Sequence, residues 1–269
     1  MSTVYESFFG FTRTPFGRDL PPDQLFPSQD HLEALARLNW AVMQRGLALL
    51  TGDVGSGKST CLRALRAALD PLRSRWLYLP NPLLPSRGLY RQLLLGLGVE
   101  PRYHKSDTVN QLAQTLWSVF EQGKTPVVVI DDAHLLPEAT LQELRLLTNF
   151  DMDSACPMAL ILVGQTPLRD RLRLSCYDHI TQRLTVRYHM RGLTAPETRE
   201  YIAHHLKVAG RTSPLFTPEA IEEIFQYARG IPRRVNHVCA NSLLAAFIEQ
   251  KDLVDQKLVL RVIQDLNGN

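Results

Sequence analysis

The nine residues "GDVGSGKST" (52–60) gather three glycines and end in a lysine and two hydroxyls, directly after the apolar run "LALLT". Glycine lacks a Cβ, so a backbone rich in it can curl until successive N–H groups converge on an anion. Gly52, Gly55, Gly57, Lys58 and Ser59 fit the pattern G-x-x-x-x-G-K-[ST] between an expected strand and an expected helix. Asp53, Val54 and Ser56 complete the loop. In such a loop the helix opening near Lys58 adds its positive N-terminal end to the phosphate cradle. Lys58 is expected to reach the β- and γ-phosphates, Ser59 to ligate Mg²⁺ and Thr60 to bond the α-phosphate. The expected ligand is therefore ATP with Mg²⁺.

An Mg²⁺·polyphosphate site also needs an acid at the tip of a neighbouring buried strand. The run "VVVIDDAH" supplies one: four aliphatic residues bury the strand and Asp131 emerges at its end. Asp132 is then placed to orient or polarise the attacking water. His134 is expected to be a solvated residue opening the next helix. Three further polar residues stand at the edges of expected elements. Gln165 ends the strand "LILVG", Arg183 precedes "LTVRYHM", and Arg233 lies in "GIPRRVN" at a helix start. Each also has an ordinary structural explanation: a polar strand end, a surface cation, a helix-terminal arginine.

The elements that must hold these residues are legible from hydrophobic periodicity. Strands are expected at 47–51, 75–79, 126–131, 158–164 and 184–190. Between them lie the helical patterns "STCLRALRAAL", "SDTVNQLAQTLWSVFEQG" and "PEATLQELRLLTNF". Apolar strands alternating with helices predict an α/β fold with a parallel five-stranded sheet covered on both faces. Residues 1–46 read as an aromatic and proline-rich lead-in, followed by a helix that Ser28 can cap and Gly46 stops; together they are expected to pack on the core. Residues 47–191 form the nucleotide-binding domain. After Gly192 come four helical segments, and Thr217-Pro218 is a cap followed by a first-turn proline. Residues 192–269 thus predict a small all-α lid.

At 269 residues with a net charge of +3, the chain is long enough for a sizeable core and mildly basic, which permits a nucleic-acid partner without requiring one. The four cysteines form no C-x-x-C pair, which argues against a disulfide framework or a zinc site. No signal pattern opens the chain and no apolar run is long enough to span a bilayer, so a cytoplasmic protein without a membrane partner is expected.

The order of these motifs resembles the AAA+ ATPases. Gln165 matches their sensor-1 position, Arg233 sensor-2, and Arg183 the arginine finger that reaches a neighbouring subunit's nucleotide, with Arg173 and Arg187 as substitutes. More narrowly, "FFGFTRTPF", "LLTGDVGSGKST", "VVVIDDAH", "LILVGQTPLRDRL" and "GIPRRVN" resemble the ExeA-type ATPases, whose core is shared with transposition regulators of the TnsC and MuB kind. One departure concerns the base, usually glutamate in the family and Asp132 here. The resemblance implies ATP hydrolysis coupled to self-association, as a ring or a helical filament of about six subunits per turn. It further implies double-stranded DNA as partner, together with a transposase and a target-selection protein. By the same analogy Arg87, Lys105 and Ser106 contact the DNA backbone. The Arg-rich run 169–191 is a second candidate DNA surface, with six arginines against Asp170 and Asp178. The alternative within the same resemblance is an ExeA-type ATPase energising secretion or cell-envelope assembly. A small-molecule kinase fits least well, because it leaves Arg233 and the helical lid without a purpose.

Overall fold

The computed structural model describes residues 4–80, 82–144 and 156–268. The chain divides into two compact units. One takes Glu33–Val54 and Lys58–Met190; the other takes Met1–Leu32, Gly55–Gly57 and Arg191–Asn269.

The first unit is built on a sheet of β1 (Leu47–Gly52), β2 (Ser74–Leu79), β3 (Thr125–Ile130), β4 (Ala159–Gly164) and β5 (Leu184–Met190). The strands lie in the order β2-β3-β4-β1-β5, and every pairing is parallel. All five were expected to within a residue at each end. Their near-continuous apolar runs follow from burial on both faces. Alternation along β3 divides its side chains cleanly. Val127 and Val129 pack with Ala34, Leu38, Cys61 and Leu65, from helices α2 (Gln29–Met43) and α3 (Lys58–Ala68). Val128 and Ile130 face the opposite side with Leu89, Leu93, Leu112 and Leu116. Each such fully buried aliphatic side chain contributes about 1.5–3 kcal/mol.

Those last four leucines belong to α4 (Ser86–Leu97) and α5 (Lys105–Glu121). α4 carries Arg87, one of the expected DNA contacts. Its core-facing residues Leu89, Tyr90, Leu93 and Leu94 have helical spacing, and this burial makes it a helix. Of the expected helix over "PEATLQELRLLTNF", Glu138–Glu143 is helical (α6), and residues 145–150 lie outside the described residues. Two short helices, α7 (Thr166–Arg171) and α8 (Asp178–Thr181), link β4 to β5. Ser28 does cap α2, its Oγ accepting from the His31 N–H at 3.2 Å.

The second unit is helical: α1 (Val4–Phe9), α9 (Ala195–Val208), α10 (Pro218–Ala228), α11 (Pro232–Ile248) and α12 (Gln256–Leu266). The last four match the segments expected after Gly192. Thr194 and Glu197 close a capping box on α9, and the Thr217 hydroxyl accepts from the Ala220 N–H at 3.2 Å. The aromatic lead-in joins this cluster. Phe9, Phe11 and Phe16 are buried with Ile202, Leu206, Val238 and Leu243. Phe216 and Val254 make an isolated parallel bridge that periodicity did not reveal. Among the described residues no helix is long and apolar enough to cross a membrane.

Candidate nucleotide site

The glycine loop follows β1 directly. Gly52 ends the strand, and α3 begins at Lys58. Gly55 and Gly57 hold φ of 87° and 102°, a left-handed region that side chains avoid, so the curl is available only to glycine. Lys58 is buried, and its Nζ donates to the Gly52 and Asp53 carbonyls at 2.8 Å each. The ammonium is thus folded back along the inside of the loop. Ser59 is exposed and Thr60 half-buried on the first turn of α3. Ser56 is buried, and its Oγ has no hydrogen-bond partner among the described residues, whereas Val54 is 55% exposed. Asp53 is exposed yet anchored: its Oδ1 accepts from the Thr166 hydroxyl at 3.0 Å.

Gly55 is also close to the helical segment grouped with it. Its carbonyl accepts from the Arg233 N–H at 3.3 Å, on the first turn of α11. A Cβ at Gly55 would stand 2.5 Å from Arg233 Cβ. The "GIPRR" backbone therefore lies against the loop tip, while the Arg233 residue as a whole remains exposed.

Asp131 follows the last residue of β3, and its N–H donates to the Leu79 carbonyl at 2.9 Å, extending the ladder by one step. Only 9% of Asp131 is exposed. Both carboxylate oxygens accept hydrogen bonds: Oδ1 from the Asp132 N–H at 2.9 Å and Oδ2 from the Tyr78 hydroxyl at 2.7 Å. Asp132 adopts φ 49°, ψ 34°, a left-handed conformation that aspartate tolerates better than most side chains. That turn leaves its side chain half exposed while Asp131 stays buried. Adjacent aspartates thus have separate environments, one fixed and one open to water. His134 departs from expectation. Its side chain is only 14% exposed, with Nδ1 3.9 Å from Asp132 Oδ1, and that Nδ1 is buried without a hydrogen bond among the described residues. The short 3₁₀ turn Ala133–Leu135 tucks the ring inward instead of opening a solvated helix.

Gln165 occupies the half-buried position between β4 and α7, next to Thr166. Arg183 is half-buried between α8 and β5, and its N–H donates to the Ile180 carbonyl at 3.1 Å. Of the substitute finger candidates, Arg173 pairs with Asp170 at 3.7 Å and Arg187 donates to the Thr181 carbonyl. The expected DNA contacts are engaged within the chain. Arg87 donates to the Tyr103 carbonyl and lies over the Tyr103 ring at 5.2 Å. Lys105 pairs with Glu143 at 2.8 Å, an ion pair that helps hold the Glu143 carboxyl below its ordinary range against the opposing pull of burial. Ser106 is exposed and donates to Asp107 at 3.4 Å.

These residues suit a magnesium–nucleotide ligand. The loop offers backbone N–H groups and an ammonium to phosphate, and one hydroxyl and one buried carboxylate are the hard oxygen donors Mg²⁺ takes from protein when phosphates supply the rest. One residue beside the site lies in no sequence motif, Tyr78, and two that lie within motifs, Thr166 and His134, had no such contacts assigned to them. Tyr78 had one available signal, the two-residue alternation that puts it on a definite strand face, but its neighbour could not be known without the strand order.

A protein-family model for the "AAA domain" matches residues 42–172. The chain is 36% identical over 250 residues to General secretion pathway protein A of Aeromonas hydrophila, covering 91% of this chain and 45% of that protein. It therefore spans less than half of that relative's length. Among solved structures, the chain is similar to Aeropyrum pernix Orc1 in complex with DNA, with a TM-score of 0.67 and 16% identity, covering 93% of this chain and 68% of that one. It is also similar to the Thermotoga maritima RuvB Holliday junction branch migration motor, with a TM-score of 0.60 and 20% identity, covering 95% and 74% respectively. At such identities the likeness speaks for the fold alone. The glycine loop, the buried strand-end aspartate and the strand order agree with the family match: residues 42–172 match the AAA domain, on the α/β fold with a parallel five-stranded sheet that these solved structures share.

Proposed function

We propose that the chain is a Mg²⁺-dependent ATPase of the ExeA type whose turnover is coupled to association between copies and serves secretion or cell-envelope assembly. One observation carries the chemistry: a buried lysine folded into a glycine loop, on the same sheet as a buried aspartate with a half-exposed aspartate beside it. The 36% identity to a general secretion pathway protein supports the secretion role over target selection for a transposase. Bound Mg²⁺ would supply charge neutralisation on the phosphates. The chain's own residues do the remainder. Lys58 leaves the two loop carbonyls and turns its charge to phosphate oxygens, and Ser59 and Asp131 would hold the cation. Asp132, open to water, accepts a hydrogen bond from the nucleophilic water and draws its proton. Gln165 positions that water at the end of β4. Arg183, from an adjacent copy, contributes positive charge where the transition state gathers negative charge, and Arg233 does so from α11.

A second possibility is assembly on double-stranded DNA. Mild basicity and the Arg-rich run 169–191 favour it, together with its fold likeness to proteins solved with DNA. Arg87 and Lys105 would have to exchange their internal partners for phosphates. Sedimentation with ATP and Mg²⁺, with and without duplex DNA, separates the two. The secretion-type account predicts association and turnover without DNA, both lost in Lys58→Ala. Association that appears only with duplex and collapses with added salt supports the DNA account instead.

A further inference from the structure

Tyr78 belongs to none of the motifs, yet its hydroxyl lies only 2.7 Å from a carboxylate oxygen of Asp131, the acid of the site. We infer that Tyr78 is a positioning residue for the cation-binding carboxylate, its hydroxyl fixing Asp131 in the orientation that receives Mg²⁺. The inference rests on the proposed role of Asp131.

Sheet geometry carries it. Tyr78 pairs with Val129 in the parallel register, and Leu79 with Ile130. Successive side chains alternate faces. Val129 packs among Cys61, Leu62 and Leu65 of α3, so Asp131, two residues on, projects to the face that α3 covers. Trp76, two residues before Tyr78, packs on that face too. Tyr78 and Asp131 are thus diagonal neighbours on the sheet face whose covering helix opens with Lys58 and Ser59. The 2.7 Å bond between them is a phenol donating to a carboxylate, a charge-assisted contact. A tyrosine hydroxyl is ordinarily protonated at neutral pH and so donates to the carboxylate. The Asp132 N–H holds the other oxygen. Each carboxylate oxygen has two lone pairs, so the two bonds fix the plane of the group and leave an acceptor position on each oxygen. At 45% exposure Tyr78 is not an essential part of the core, and its ring can be kept while the hydroxyl is removed.

Mn²⁺ serves as the probe, followed by electron paramagnetic resonance with ADP-saturated protein. Tyr78→Phe should weaken Mn²⁺ about tenfold, the low end of the effect of losing a partner of a ligating carboxylate. Its ADP affinity measured in EDTA should match the parent, which a general packing defect would not allow. Asp131→Asn should weaken Mn²⁺ further. Unchanged Mn²⁺ affinity in Tyr78→Phe, with a clear loss in Asp131→Asn, overturns the role of Tyr78 and leaves Asp131 in place. Unchanged affinity in Asp131→Asn removes the cation role of Asp131, and the inference falls with it.

Discussion

Replacing Gly55 with alanine tests the loop where two constraints meet. The first is conformational: φ of 87° costs an L-residue about 1–2 kcal/mol. The second is steric. The new Cβ would lie 2.5 Å from Arg233 Cβ, with Arg233 Cδ and Ile231 Cγ2 both at 3.3 Å. The first of these atoms is fixed to the backbone of α11, so a side-chain rotation cannot relieve the overlap, and overpacking of this kind costs about 1–3 kcal/mol. Gly98→Ala is the matched control. Gly98 has φ of 83° and nothing within 4 Å of an added Cβ, so only the conformational cost applies. Gly55→Ala should therefore lose about 1–3 kcal/mol more than Gly98→Ala, which is about 2–6 °C in melting temperature for a chain of this size. If nucleotide binding requires the loop to regain its original path against that overlap, ATP affinity falls about 5- to 150-fold in Gly55→Ala and stays unchanged in Gly98→Ala. Circular dichroism melting and titration of a fluorescent ATP analogue measure the two quantities. Equal melting temperatures and parental ATP affinity in both variants would refute the claim that the loop tip and the "GIPRR" turn are mutually fitted.

Other consequences can be checked directly. Asp132→Asn should leave ATP affinity intact and lower turnover about 100-fold or more, since the half-exposed carboxylate is the proposed proton acceptor; stopped-flow binding with steady-state phosphate release decides it. Arg183→Ala should cut turnover about a thousandfold at concentrations where copies associate, and mixing it with Lys58→Ala protein should restore activity; absence of rescue argues against a finger acting between copies. His205 is stacked on Phe16 at 5.2 Å, and burial, followed by the nearby His204 and Arg13 charges, pushes it down to about 4 from 6.5. The unfolded chain therefore takes up a proton below pH 6.5 that the folded chain refuses until about 4. Stability from this group is complete above 6.5 and declines as pH falls to 4, by at most about 3 kcal/mol. Denaturant titrations from pH 7 to 4 should show a shallower decline for His205→Phe, and identical slopes would contradict the assignment.

The parts of this molecule legible in its sequence were those governed by local pattern. Runs such as "VVVID" and "LILVG" are too apolar for anything but a buried strand, and Thr217-Pro218 announces a helix start without tertiary context. The phosphate loop was legible for the same reason, since its glycines, lysine and serine are contiguous. What escaped depended on which elements become neighbours. Tyr78 and Asp131 are 53 positions apart, and Thr166 and Asp53 are 113 apart; nothing local says that these pairs meet. His134 was misplaced because its polarity suggests solvent, whereas the tight turn after Asp132 turns it inward. Arg87 and Lys105, assigned to DNA by analogy, also have partners within the chain, the Tyr103 carbonyl and Glu143, which come from a loop and a helix that no local pattern brings together.

The most direct measurement is ATP turnover per protomer against protein concentration, with sedimentation velocity on the same samples. A site completed by the Arg183 of an adjacent copy predicts low specific activity while the protein is monomeric, a steep rise as larger species appear, and no rise in Arg183→Ala. Constant specific activity from a species that remains monomeric throughout would contradict it.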